Sequence, residues 1–287
     1  MYADFKYHSP GEVGQLFDLL TSTEAPLVYA GGTDLLVWLR GKTVSGQHVI
    51  DVKNLPELGG IKEEADYISI GAAVNFYDII TNELITKWAP ALRDASAQVG
   101  SVQIRHKGTL GGNIQTASPA GDGLVAAMGL DAEVEILSPT GQRRLPLAEF
   151  VLGPRQTALL PNEIISRICI PKYHRTFQRF FKVGRRNALA ISVVNGVVAL
   201  CTDRSGKIES AGIVLGAVAP TPVRVSNAED ILTSSTTGTY CFDELMAAVR
   251  GQIKPISDLR ASADYRSYIA GIMVKREIQD FLKGERT

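Results

Sequence analysis

Two short glycine-rich segments constrain this chain more than any other feature of its sequence. The first, Gly31-Gly32-Thr33-Asp34, directly follows the short apolar run from Pro26 to Ala30. The second, Gly108 to Asn113, reads Gly-Thr-Leu-Gly-Gly-Asn. Because glycine has no Cβ atom, backbone N–H groups in such loops can approach a phosphate closely. Two such loops together predict a dinucleotide whose pyrophosphate is held between them.

The first segment alone is a weak signal, because an ordinary strand-to-helix turn also uses glycine. It matches neither the G-x-G-x-x-G pattern nor a Walker loop, in which Gly-Lys-Ser/Thr would follow. Thr116, Ser118 and Asp122 continue the polar character beyond the second segment. Asp122 has two compatible predicted roles, hydrogen bonding to ribityl or ribose hydroxyls and capping a helix that begins near Leu124.

The N-terminal part of the chain alternates helical and strand patterns, which indicates an α/β fold. Val13, Leu16, Phe17 and Leu20 recur at helical spacing. Further strands are predicted at 26–30, 48–52, 67–70, 133–137 and 164–170, and further helices after Asp34, from Asn75 to Ile80, at 90–98 and at 124–130. The segment from Gly100 to Asp122 is rich in Gly, Ser, Thr and Asn, and it predicts a loop held against a ligand.

The pattern changes beyond Pro171 to longer β-like runs followed by helices. The runs cover 178–183, 190–201 and 210–217, and the helices lie near 243–250 and 265–282. Strands first and helices later are typical of a separate α+β domain. We therefore predict three units, residues 1–56 and 57–172 as two cofactor-binding subdomains and residues 173–287 as a C-terminal α+β domain.

Charge and hydropathy exclude several classes of function. Lys plus Arg and Asp plus Glu number 30 each, so no net positive field is available to hold a nucleic acid. The most apolar stretch, Ile191 to Cys201, is too short to span a bilayer and contains Asn195 and Gly196. The N-terminus lacks a secretory pattern. These features predict a cytoplasmic protein without membrane insertion.

The cysteines and histidines give no sign of a metal site on this chain. Cys169, Cys201 and Cys241 lie far apart, without a C-x-x-C pair, and are predicted to be small buried apolar residues. The four histidines show neither H-x-H nor H-E-x-x-H spacing. No pair of residues stands out as a catalytic acid and base, so no catalytic residue is predicted on this chain. Any metal that works with this chain is expected on another polypeptide.

Taken in order, the motifs of this chain resemble those of the FAD-binding subunits and domains of molybdenum hydroxylases, such as xanthine dehydrogenase and aerobic carbon monoxide dehydrogenase. The shared motifs include F-x-Y-H-x-P at 5–10, A-G-G-T-D-L-L at 30–36, I-G-A at 70–72, Q-I-R and G-T-L-G-G-N-I within 103–114, and A-S-P-x-x-D at 117–122. They continue with N-E-I-I and I-x-I-P within 162–171, F-x-K-x-G-R-R at 180–186 and G-A-V-A-P-T-P-V-R at 216–224.

The resemblance implies non-covalently bound FAD lying between two α/β subdomains of the vanillyl-alcohol-oxidase type and a C-terminal α+β domain of the carbon monoxide dehydrogenase flavoprotein type. It places the pyrophosphate and adenosine side at Tyr29, Ala30, Gly31, Gly32, Thr33, Asp34, Leu35, Thr109, Gly112 and Asn113, the adenine at Val99, polar FAD contacts at Thr116 and Asp122, and the isoalloxazine ring at Ile165 and Lys182. A cation at Lys182 would raise the potential of the flavin. His106 stands where relatives often have Asn, and we expect a polar loop residue there rather than a flavin attachment point.

The resemblance also implies partner chains. A large subunit would carry molybdopterin and the organic chemistry, a small subunit would carry [2Fe–2S] clusters, and this chain would pass electrons to NAD⁺ or another acceptor. Two alternatives remain open at this point. One is a self-contained FAD-dependent oxidoreductase of the vanillyl-alcohol-oxidase-like superfamily, and the other is a non-catalytic flavin-binding scaffold. The pocket for the hydroxylated substrate is expected on the large subunit.

Overall fold

A computed structural model of the chain describes residues 5–40, 47–235 and 240–284. Its first region is a three-stranded parallel sheet, in the strand order β1-β3-β2, with helix α1 packed on it. Leu16, Phe17 and Leu20 of α1 are buried against Ile50, which confirms the predicted helical stripe. The elements of this region are β1 (Phe5–His8), α1 (Val13–Ser22), β2 (Leu27–Tyr29), α2 (Leu35–Arg40) and β3 (Gln47–Asp51).

The second region is a five-stranded antiparallel sheet in the order β4-β5-β10-β6-β7, and its helices enclose the largest apolar core. Asn75 caps α3 as predicted, because its side-chain oxygen accepts a hydrogen bond from the Asp78 N–H at 2.8 Å. The elements are β4 (Ile61–Glu63), β5 (Tyr67–Gly71), α3 (Phe76–Thr81), α4 (Glu83–Trp88), α5 (Pro90–Ala97), α6 (Val102–Arg105), α7 (Leu110–Thr116), α8 (Asp122–Gly129), β6 (Glu133–Ser138), β7 (Gly141–Pro146), α9 (Leu147–Phe150), β8 (Val151–Gly153), β9 (Gln156–Thr157) and β10 (Ile164–Pro171).

The third region is a four-stranded antiparallel sheet, β11-β12-β13-β14, with three helices after it in the chain. Its core joins the inner faces of these strands to α10, α11 and α12. Helix α8 of the second region packs on β12, so close that Gly129 has no room for a Cβ atom beside Val197. The elements are β11 (Phe177–Val183), β12 (Val194–Thr202), β13 (Ile208–Gly216), β14 (Val223–Arg224), α10 (Ser226–Ser234), α11 (Phe242–Gln252) and α12 (Ala263–Leu282).

The prediction of a loop from Gly100 to Asp122 is wrong, because this segment contains α6 and α7. Ser101 and Thr109 cap the two helices, with side-chain oxygens that accept hydrogen bonds from the third residue along. Helix α7 is rich in glycine because it packs tightly, and a Cβ atom on Gly111 would lie 2.6 Å from that of Ala72. Tertiary packing here overrides the low helix propensity of glycine.

Two smaller predictions are also corrected, one on the start of a strand and one on the burial of the cysteines. Strand β12 begins at Val194 rather than at residue 190. Cys241 is exposed and Cys201 is partly exposed, so only Cys169 is the buried residue that was expected. Among the helices in the described part of the chain, none has the length and apolarity that crossing a bilayer requires.

Candidate cofactor site

The two glycine segments lie against each other in the folded chain, although they are far apart in sequence. A Cβ atom on Gly31 would lie 1.9 Å from the carbonyl oxygen of Lys107, so only glycine allows this approach. The Thr116 hydroxyl donates a hydrogen bond to the Asp34 carboxylate at 3.0 Å. We call residues 31–34 the first glycine loop and residues 108–113 the second glycine loop.

The first glycine loop presents backbone donors without an internal partner. Gly32 adopts a φ of +69°, and a Cβ atom there would lie 2.3 Å from the Tyr29 ring. The carbonyls of Gly32 and Asp34 accept bonds from Leu36 and Trp38, which start the following helix. Within the described residues, no hydrogen-bond acceptor faces the backbone N–H groups of Gly32, Thr33 or Asp34. These donors are the ones that an anionic ligand would satisfy.

Polar contacts to the buried carboxylate of Asp51 lie next to Tyr29, the residue that contacts Gly32 of the first loop. Asp51, which ends β3, is 2% exposed and accepts a hydrogen bond from the Tyr7 hydroxyl at 2.5 Å. That hydrogen bond raises the pKa of the Tyr7 phenol above its ordinary value. The Lys53 ammonium lies 3.1 Å from the Asp51 carboxylate and 5.1 Å from the centre of the Tyr29 ring. Tyr29 is therefore held between this charged group and Gly32.

The second glycine loop offers fewer free backbone donors than its sequence suggests. The N–H groups of Leu110 and Gly111 are bonded to the carbonyls of Val74 and Ala72. The Gly112 N–H is bonded to the Thr109 hydroxyl at 3.0 Å. What the loop exposes is the Cα face of Gly112, where an added Cβ atom would meet only the Thr109 oxygen, at 2.9 Å. This face allows a ligand to approach the helix closely.

Asn113 connects the second loop to Asp122. Its side-chain oxygen accepts a hydrogen bond from the Leu124 N–H at 2.9 Å, near the start of α8. The predicted capping role of Asp122 is therefore wrong, since α8 already begins at Asp122 and Asn113 satisfies the N–H at its start. The amide nitrogen of Asn113 has no hydrogen-bond partner within the described residues, so it is a candidate ligand donor.

Asp122 lies in a buried polar network with three donors from the third region. Its carboxylate accepts hydrogen bonds from Lys182 at 2.5 Å, Ser192 at 2.8 Å and Asn195 at 2.7 Å. The side chains of Lys182 and Asp122 are 9% and 7% exposed, so the pair is shielded from water. A carboxylate has about four acceptor sites, which leaves room for one further donor.

Lys182 has one ammonium hydrogen left for a ligand. It donates to Asp122 and also to the main-chain carbonyl of Gln98 at 3.1 Å. An ammonium group has three donors, so one remains. Gln98 precedes Val99, which packs against the main core that also contains Ile165 of β10. The structure thus places Val99 next to a contact of Lys182, and it places Ile165 in the core against which Val99 packs.

A cleft of about 630 Å³ lies beside Lys182 and carries only basic charged groups. Arg105, Lys182, Arg186 and Arg276 line it, together with apolar and neutral residues such as Gln98 and Met273, and no acidic residue takes part. We call this feature the basic cleft. Within the described residues, no group of three or more His, Cys, Asp or Glu side chains is arranged to hold a metal ion.

The sequence reading missed Ser192, Asn195 and Gln98, which hold the Lys182–Asp122 pair. One signal was present, because Asn195 is a polar residue within an otherwise apolar strand, and it proves to be fully buried. A buried amide nitrogen needs an acceptor, and Asp122 supplies it 73 residues away. No spacing rule in the sequence identifies that partner.

Comparison with known proteins identifies the family. A family model described as the FAD binding domain in molybdopterin dehydrogenase matches residues 3–173, which is more than half of the chain. The chain belongs to this family. A second model, the CO dehydrogenase flavoprotein C-terminal domain, matches residues 179–281. The predicted family and the predicted fold class, two α/β FAD-binding subdomains followed by an α+β domain, are confirmed.

Similar proteins differ in the substrate that their names give. The nicotinate dehydrogenase FAD-subunit of Eubacterium barkeri is 33% identical over 291 residues, with 98% of both chains covered. The xanthine dehydrogenase FAD-binding subunit of Escherichia coli O157:H7 is 29% identical, with 98% of this chain and 97% of that one covered. A solved carbon monoxide dehydrogenase from Hydrogenophaga pseudoflava matches with a TM-score of 0.91 at 29% identity and covers 97% of each chain.

Proposed function

We propose that this chain binds one FAD non-covalently and is the electron-transfer subunit of a heteromeric molybdenum hydroxylase. It passes electrons from iron–sulfur clusters on a partner to NAD⁺ or another acceptor. The observation that carries the proposal is the placement of two facing glycine loops beside a buried Lys182–Asp122 pair. We also propose that the protein is cytoplasmic. We propose a division into residues 1–56, 57–172 and 173–287, and the separate sheets of the three regions support this division.

The residues of the site fit the parts of FAD in the following way. The unpartnered N–H groups of the first glycine loop and the exposed face of Gly112 suit a pyrophosphate, which needs donors and close backbone approach. The free amide hydrogens of Asn113 and the remaining acceptor site of Asp122 suit hydroxyl groups. The proposed FAD contacts are Tyr29, Ala30, Gly31, Gly32, Thr33, Asp34, Leu35, Val99, Thr109, Gly112, Asn113, Thr116, Asp122, Ile165 and Lys182.

Bound FAD would supply the ability to accept and release electrons in this site. Lys182 would hold a positive charge at the edge of the ring, where negative charge develops on reduction. Because Asp122 partly neutralises this charge, Lys182 acts mainly as an oriented hydrogen-bond donor. The buried network keeps that donor in place and excludes water from it.

The basic cleft supports the proposal of an anionic acceptor. Four cationic groups and no acid line it, so it favours a ligand that carries phosphates, such as NAD⁺. Arg276 is exposed and reaches this cleft from α12, and it is the clearest group to test. Arg276→Gln should raise the KM for NAD⁺ and leave reduction of an artificial dye unchanged. Arg204→Gln, an exposed arginine in the β12–β13 turn, is the matched control.

The partners proposed are a large molybdopterin-binding subunit and a small [2Fe–2S] subunit, and the chemistry on the organic substrate belongs to the large one. Names of the relatives support this, since several are subunits or medium chains of dehydrogenases. Purification from the native host should yield all three polypeptides with molybdenum and iron. Substrate turnover by the isolated chain would instead favour a self-contained oxidoreductase. A flavin that is never reduced in the assembly would favour a scaffold.

FAD binding itself is tested by release and by one substitution. The purified chain should be yellow and should release FAD, not FMN, on acid precipitation. Gly112→Val should reduce FAD retention sharply, because a branched side chain would cover the exposed helix face. Gly251→Val is the matched control, since Gly251 lies in helix α11 with no atom within 4 Å of an added Cβ. Unchanged FAD affinity in Gly112→Val would remove the second loop from the site.

A further inference from the structure

A buried arginine of the C-terminal domain supports the Lys182–Asp122 pair from outside the site. Arg266, near the start of α12, is 3% exposed, and its side chain crosses from the helix to two other segments. Its guanidinium donates to the carbonyls of Val193, at 2.5 Å, and Ala217, at 3.2 Å. Its charge is balanced by Asp258 at 2.7 Å.

Val193 links Arg266 to both members of the pair. It follows Ser192, whose hydroxyl donates to Asp122. The Val193 N–H donates to the carbonyl of Val183, the residue after Lys182, at 2.8 Å. The Val193 peptide is therefore held on one side by Arg266 and on the other by the strand that carries Lys182. Residues 185–189, in the segment that connects β11 to β12, are exposed. Val193 therefore lies where this segment returns to the core.

Ala217 extends the same support to the loop before Asp122. Ala217 has a φ of +61°, and its N–H donates to the Pro119 carbonyl at 2.7 Å. The residue before it, Gly216, has no room for a Cβ atom, which would lie 2.2 Å from the Asn195 side-chain oxygen and 2.8 Å from Pro119. Arg266 thus bonds to the segment whose Ser192 donates to Asp122 and to the segment that holds Pro119 in the loop before Asp122.

We infer that Arg266 is a positioning residue, which sets the geometry of the Lys182–Asp122 pair and through it the affinity and the reduction potential of the flavin. The inference rests on the proposed FAD site. Arginine suits this role because its planar fork bonds two carbonyls and a carboxylate at once, whereas a lysine offers a single point of charge. The Asp258 carboxylate that orients it accepts the Arg260 N–H and the Arg266 guanidinium, which lower the pKa of Asp258, so the ion pair persists at low pH.

The test compares Arg266→Met and Arg266→Lys with a matched control, Arg175→Met, in the full chain. Arg175 is also buried, donates to the Leu130 carbonyl at 3.0 Å and pairs with Asp131 at 2.9 Å, but it has no bond to the Lys182 network. Three quantities are measured for each protein: the urea midpoint, the FAD dissociation constant and the midpoint potential of bound FAD.

Arg266→Met should raise the FAD dissociation constant at least tenfold. It should also lower the midpoint potential of bound FAD by about 30 mV, which is the shift that a tenfold change in the equilibrium constant of a two-electron couple produces. Arg266→Lys should shift both quantities in the same direction and decides the question if the Met variant does not fold. Arg175→Met should lose stability without either shift.

Unchanged flavin affinity and potential in the Arg266 variants would overturn the inference, as would equal shifts in Arg175→Met. Failure of the wild-type chain to bind FAD is a separate result, which would reject the proposed function instead.

Discussion

The Lys182–Asp122 pair can be tested by a double-mutant cycle, whose magnitude follows from burial. Among the described residues, Asp122 is the only opposite charge within hydrogen-bond reach of the Lys182 ammonium, which is 9% exposed, and Asp122→Asn removes it. Removing one partner of a buried ion pair costs roughly 3 to 5 kcal/mol, because the remaining charge is left unpaired. Asp122 also accepts bonds from Ser192 and Asn195, which an asparagine satisfies only in part. We expect Asp122→Asn to cost about 4 kcal/mol.

Lys182→Met should cost less, about 2 to 3 kcal/mol, since Ser192 and Asn195 still donate to the Asp122 carboxylate. In the double variant both charges are gone, so its cost should fall short of the sum by at least 2 kcal/mol. The assay is urea denaturation followed by circular dichroism, without added FAD, which separates the stability of the pair from ligand binding.

Arg93 and Asp94 provide the control cycle. They also form an ion pair, at 2.9 Å, but their side chains are 35% and 32% exposed. Solvent screening limits such pairs to less than about 1 kcal/mol. If the Lys182 and Asp122 substitutions were additive within about 0.5 kcal/mol, like distant sites, the pair would not be a coupled unit. The role given to it above would then fail as well.

Other features of the chain give shorter tests. Burial raises the pKa of the Glu277 carboxyl from an ordinary 4.5 to about 7. Its contribution to stability is therefore present below about pH 4.5 and is lost as the pH rises through 7. The free energy of unfolding of Glu277→Gln should gain roughly 3 kcal/mol relative to wild type between pH 4 and 8, and parallel pH profiles in urea would contradict this. Gly31→Ala should lower both stability and FAD retention because its Cβ would meet Lys107, whereas Gly11→Ala, with open space around it, should behave as wild type in the same melts. A thiol reagent should modify exposed Cys241 first and Cys169 last, since burial raises the Cys169 pKa to about 11; peptide mapping that finds Cys169 first would refute this order.

Local patterns in the sequence predicted those parts of the fold that depend on neighbouring residues. The helical stripe of α1, the Asn75 cap and the long β runs of the third region all follow from spacings of a few residues. The ordered motifs also predicted the family. Residue spacing did not predict contacts between residues that lie far apart in the sequence. Asp122 and Lys182 are 60 residues apart, and Val193 and Arg266 are 73 residues apart.

The same limit applies to the glycines that first indicated a phosphate site. In the sequence they are equivalent, but the space around each Cα atom separates their roles. Gly31 and Gly111 allow one backbone to pack on another, and Gly32 adopts a positive φ. Gly112 alone among these four is exposed, with its N–H already bonded to Thr109. A glycine-rich motif thus predicts close backbone approach, and only the fold determines whether a second segment of the chain or a ligand makes that approach.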